Sequence, residues 1–121
     1  MSSRDASFDT VRHIGLALPE VEESTAYGMP ALKLHGDILA TLPANRSAEP
    51  NSLMVRIALE DRAELLISDP ATYYVPDHYE SYDGVLVRLS HVDLEALEGL
   101  LKMARRYISG KHKTASARKK R

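Results

Sequence analysis

The chain contains no cysteine and no tryptophan, and only one phenylalanine. Without Cys there is no disulfide framework, no thiolate metal ligand and no thiol nucleophile. No apolar run approaches the roughly 20 residues needed to span a bilayer, so no membrane role is expected. The opening residues, Met1 to Thr10, are polar and lack the apolar stretch of a secretory signal. A cytoplasmic location is the expectation. The six glycines form neither a GxGxxG nor a P-loop pattern, which removes the conventional nucleotide cradles. His13, His35, His78, His91 and His112 make no HxxxH or HExxH pattern, so no metal site and no cofactor are expected. No Ser sits in a nucleophile setting, and no catalytic residue is assigned.

What remains is an ordinary globular composition. The 121 residues are 44% hydrophobic, enough for one domain with one core. The net charge of −1 hides a segregation. Residues 109–121 hold Lys111, Lys113, Arg118, Lys119, Lys120 and Arg121 and no acid. Residues 1–108 then hold ten basic and seventeen acidic side chains, a balance of −7. We read 1–108 as the folded domain and 109–121 as a basic tail. The tail is too polar and too like-charged to order itself, so it is expected to be disordered.

Periodicity supplies the elements. Phe8, Val11, Ile14, Ala17 and Leu18 form a helical stripe opened by Ser7 and stopped by Pro19. A short strand is expected over 24–28. Leu32 and Leu34 alternate with Lys33 and His35, and Gly36-Asp37 reads as a tight turn into Ile38, Ala40 and Leu42. Leu53, Val55 and Ile57 mark a further strand. Residues 59–68 predict a helix with Leu59, Ala63, Leu66 and Ile67 inward. Val85, Val87 and Leu89 mark the last strand. Asp93 or Ser90 then caps a helix with Leu94, Leu97, Leu101, Ala104 and Ile108 inward, ending at Gly110.

The tight turn demands antiparallel pairing. The expected fold is therefore α+β, in two layers, with an antiparallel sheet of four or five strands and helices mainly on one face. The opposite face would carry Lys33, Leu39, Met54, Arg56, Leu86 and Arg88. That mixture is too apolar to be fully wetted, so it implies cover by the middle helix or by a second subunit, as in a homodimer.

Three features are candidates for function. The loop DPATYYVPDHYESYDG, residues 69–84, holds Tyr73, Tyr74, His78, Tyr79 and Tyr82. Tyrosine pairs a flat apolar face with a hydroxyl, which suits ligand binding; the alternative is that these rings pin the loop to the core. The loop also holds Asp69, Asp77, Glu80 and Asp83 and no Lys or Arg, which disfavours phosphate. His78 beside Asp77 is an oriented base or, alternatively, a structural histidine. Arg56 and Arg88 occupy matched outward positions, either clasping one anion or pairing with acids such as Glu22 or Glu23. The tail is either a non-specific polyanion-binding arm or a solubilising terminus.

The stretch LALPEVEESTAYGMPALKLHGDILATL (16–42) resembles the opening of the MmcQ/YjbR family, and DPATYYVPDHYESYDGVLVRL (69–89) resembles its second block. A closing helix with Asp93, Leu94, Leu97 and Ala104 follows in both. The resemblance spans about 8–108. It implies a compact α+β fold similar to secretion chaperones, a DNA-binding-like protein and no enzymatic role. The family's loop carries a Lys and a Trp where Pro76 to Gly84 has neither. On this basis DNA is the expected partner, met through Lys33, Arg56, Arg88 and the tail residues Lys111, Lys113, Arg118, Lys119, Lys120 and Arg121. A protein or small ligand at the tyrosine loop is the alternative.

Overall fold

The computed structural model describes residues 7–119, with side chains over 7–111. Its chain order is α1 (Phe8–Leu16), β1 (Val21–Ala26), β2 (Met29–Leu34), β3 (Asp37–Thr41), β4 (Ser52–Arg56), α2 (Leu59–Ser68), β5 (Tyr73–Tyr74), a single 3₁₀ turn (Asp77–Tyr79), β6 (Gly84–Arg88) and α3 (Leu94–Lys119). The strands form one six-stranded antiparallel sheet in the order β1-β2-β3-β4-β6-β5. The fold is thus mixed α+β, as expected, but with six strands rather than four or five. The extra strand is β5. It has two residues, too few for alternation to announce it, and it exists because Tyr73 and Tyr74 pair with Val87 and Leu86.

Two hairpins build the first half of the sheet. Each turns through two residues in the left-handed region, as the hairpin-favoured type I′ turn requires. They are Tyr27 and Gly28 (φ 53° and 78°) and His35 and Gly36 (φ 53° and 84°). The second turn therefore lies one residue earlier than the Gly36-Asp37 expected. Between Leu32 and Lys33 the β2–β3 register shifts, leaving Leu39 without a partner. This extra residue turns both Leu39 and Ala40 into the core, so Leu39 does not belong to the opposite face as its spacing suggested.

The helices pack on one face of the sheet. Leu32, Leu34, Leu53, Val55, Val85 and Val87 meet Leu97, Leu101, Ala104 and Ile108 of α3 there. Ile14 of α1 and Leu65 and Leu66 of α2 join the same cluster. Asp93 caps α3, its Oδ1 accepting from the Ala96 N–H at 2.7 Å. Leu94 is half exposed rather than inward. The helix does not stop at Gly110 but runs to Lys119, entering the segment expected to be a disordered tail.

In α2 the buried face differs from the expected one. Leu59 and Ile67 are exposed, as is Ala63. The face turned inward is Arg62, Leu65 and Leu66, spaced as one helical stripe. Arg62 fixes it by donating to the carbonyl oxygens of Glu80, Tyr82 and Gly84. Among the described residues no helix is long and apolar enough to cross a membrane.

Candidate functional site

The face of the sheet turned away from the helices is not covered by the middle helix. Its own loops cover it. Met54 and Leu86 are buried beneath Tyr79, with Ile38, Ala48, Tyr74 and Val75 packed around them. Burial raises the Tyr79 phenol above its ordinary range.

Two arginine forks hold these loops. Arg56 donates through Nε and Nη2 to the two oxygens of Asp83, at 3.1 and 2.8 Å. Arg88 does the same to Glu49, at 2.9 and 2.7 Å, and also donates to the carbonyls of Pro70 and Ala71. Its guanidinium lies 4.3 Å from the centre of the Tyr74 ring, a stacked cation–π arrangement. The Tyr74 hydroxyl in turn accepts from the Glu49 N–H and shares a hydrogen bond with Ser52 Oγ.

Asp83 joins the two layers. Besides Arg56 it accepts from the Tyr107 hydroxyl at 2.6 Å and from Lys111 Nζ at 3.2 Å, both on α3. Partial burial alone would raise its carboxyl. The hydrogen bonds from Arg56, Tyr107 and Lys111 outweigh burial and hold it far below the usual carboxylate range. The Tyr107 phenol is pushed up, first by burial and then by its bond to Asp83.

Above Met54 and Ile38 the loops leave a cleft of about 530 Å³. Pro43 and Asn45 border one side, and His78, Tyr79 and Tyr82 another; Tyr27 reaches it from the first hairpin turn, and Arg56 and Asp83 also line it. The rings of His78, Tyr79 and Tyr82 meet edge to face at centroid distances of 4.9 to 5.8 Å. Tyr27 is 88% exposed and Tyr82 47%, so both rings are accessible to an incoming molecule.

Of the five loop residues proposed as ligand contacts, the structure brings His78, Tyr79 and Tyr82 into the cleft. Tyr73 is not among them: it is buried in the helix-side core, and burial raises its phenol. Tyr74 is taken up by Ser52, Glu49 and Arg88. Sequence reasoning missed Tyr27, Ile38 and Asn45. The Tyr-Gly pair between two alternating stretches was the available signal for Tyr27.

Of the residues proposed for nucleic acid, the structure brings Arg56 and Lys111 together on Asp83 and sets Arg88 apart from them. Arg56 lies opposite Gly84, and Arg88 stands four residues further along β6, about 13 Å away at strand spacing. They do not clasp one anion, and their partners are Asp83 and Glu49, not Glu22 or Glu23. Glu23 pairs instead with Arg12. Lys33 sits opposite Glu22 on the neighbouring strand, and Lys111 is bound to Asp83. The side chains of Lys113, Arg118 and Lys119, and residues Lys120 and Arg121 altogether, lie outside the described residues. Among the described residues no three His, Asp or Glu side chains gather as metal ligands would.

No protein-family model matches the chain, and no curated protein matches it. Among solved structures it is similar to the crystal structure of Deinococcus radiodurans protein DR2400, a DUF419 domain. The TM-score is 0.68 at 20% identity, over 87% of this chain and 80% of that one. At that identity the likeness shows a shared fold.

Proposed function

We propose that this chain is a non-catalytic binding module of the MmcQ/YjbR kind, and that its ligand seats in the cleft between the two tyrosine-bearing turns. The carrying observation is the cleft itself: an apolar floor of Ile38 and Met54, exposed rings at Tyr27 and Tyr82, and a polar end at Arg56. Its size and its few convergent polar groups are those of small-molecule sites. The shared fold with a DUF419 domain and the motifs at 16–42 and 69–89 support the family placement. The commitment of Asp83 to Arg56, Tyr107 and Lys111 supports a binding role, because a carboxylate held ionised by four donors is a poor proton acceptor.

A set of small aromatic compounds screened by ¹H–¹⁵N NMR tests this reading. Shifts gathered at Tyr27, Ile38, Asn45 and Tyr82 support it. Shifts scattered over the helical face, or none, sink it. Nucleic-acid binding is a second reading and rests on the six basic residues of 109–121. A labelled duplex titrated at several salt concentrations gives, for binding through that segment, a log–log slope no steeper than about −5.

A further inference from the structure

Arg56 carries five N–H donors, as every guanidinium does. Two go to Asp83. Its Nη1 reaches the carbonyl of Ile38 only at 3.5 Å, at the outer limit of a hydrogen bond. The side chain is 20% exposed and lines the cleft, so it has donors in hand at a largely desolvated wall. Asp83 stands in the opposite condition. It already accepts from Arg56 Nε on one oxygen and from Arg56 Nη2, Tyr107 and Lys111 on the other. Four donors crowd this carboxylate, three of them on Oδ2, so that only Oδ1 keeps an acceptor position. An incoming cation would find little acceptor capacity there, and an incoming anion would find donors.

Charge leads to the same place. Two cations, Arg56 and Lys111, share one carboxylate, Asp83. Around Asp83 itself the cations exceed the carboxylate by one, with Lys111 outside the cleft lining and Asp77 and Glu80 on the adjoining loop. The −7 of residues 1–108 opposes this excess at long range, but charges beyond about 8 Å are largely screened at physiological salt. Contact groups therefore decide. Next to them are the exposed rings of Tyr27 and Tyr82 over Ile38 and Met54, which favour a flat apolar body.

Resting on the binding reading above, we infer that the cleft is a site for a small planar aromatic acid, its ring between Tyr27 and Tyr82 and its carboxylate on the spare N–H groups of Arg56. Three probes share one ring and differ in the head group: 2-naphthoate, 2-naphthamide and (2-naphthylmethyl)trimethylammonium. Each is titrated into the full chain at pH 7 by calorimetry, with ¹H–¹⁵N spectra locating the site.

The acid binds about tenfold or more tighter than the amide, the value of one charge-assisted hydrogen bond, and the ammonium binds weakest. Arg56→Lys keeps the charge but loses the fork, and it removes the preference for acid over amide. Tyr27→Ala weakens acid and amide alike by about tenfold, as loss of a stacking ring does, without lowering the melting temperature. An ammonium or amide that binds as tightly as the acid overturns the ligand class and leaves the cleft reading standing. Preference for the acid surviving in Arg56→Lys overturns the role of Arg56. If none of the three moves the Tyr27 and Tyr82 resonances, both the class and the cleft reading fall.

Discussion

On its helix-covered face the sheet is sealed by aliphatic side chains, with Leu32, Leu53, Leu97, Leu101 and Ile108 fully buried. The other face has a small apolar floor, Met54 and Leu86, roofed by tyrosines and held by two ion-paired arginines. One face is closed by area, the other by geometry. Burial of area is non-directional and tolerates sliding. A fork of two parallel hydrogen bonds fixes a loop at one angle. The helical face is thus suited to stability, and the outer face to holding a shaped opening.

The strongest test of that contrast is a matched pair of truncations. Leu101→Ala in the helical core is expected to cost about 2–5 kcal/mol in denaturant unfolding. Leu86→Ala, equally buried on the outer face, should cost less, because the Tyr79 loop can settle onto the vacated space. Equal losses would show that the outer face is packed as tightly as the core. Next in size is Asp83→Asn, which takes the shared acceptor from Arg56, Tyr107 and Lys111. It is expected to cost about 1–2 kcal/mol at neutral pH, since the site is partly exposed.

The sign of its pH dependence follows from the depressed Asp83 carboxyl. A lowered folded-state pKa contributes stability that is complete above the ordinary carboxylate range. That stability drains away as pH falls below the range. Acid titration of the melting temperature should therefore show a shallower low-pH limb in Asp83→Asn than in the natural chain.

The second fork is the weaker one. Glu49 is lowered chiefly by its hydrogen bond to Arg88 but sits in solvent, so Glu49→Gln should move the melting temperature less than Asp83→Asn. A larger shift would reverse the ranking of the two loops. The smallest effect concerns Tyr27, held at φ 53° where side chains are strained. Tyr27→Asn suits the turn better and should stabilise the chain by on the order of 0.5 kcal/mol. If the cleft is used, the same change weakens aromatic ligands, so a strained Tyr is the form expected of a functional position.

How much of this could be read from the chain depended on the range of the interactions. β4 and β6 were legible because Leu53, Val55, Val85 and Val87 alternate without interruption. The α3 stripe was legible because one face repeats over many turns. Leu39 was not, since a bulge breaks the two-residue period that alternation relies on. The α2 face was not, since Arg62 is aimed by carbonyls of a distant loop. The cleft was half legible. The tyrosine loop stood out by composition, but its counterpart Tyr27 arrives from a turn far away in sequence. Arg88 finds Glu49 across 39 residues, a pairing no local pattern contains.

An open sheet is also a template on which further strands can add. β5 at one border offers two residues, too short to seed growth. β1 at the other border offers six, and Glu22 and Glu23 stand next to each other on it. Two copies approaching border to border would bring four carboxylates together, only one in each copy paired by Arg12, so self-addition is discouraged. The guard is chemical rather than steric: it weakens as salt screens the carboxylates. Concentrated salt is where this chain should first begin to polymerise.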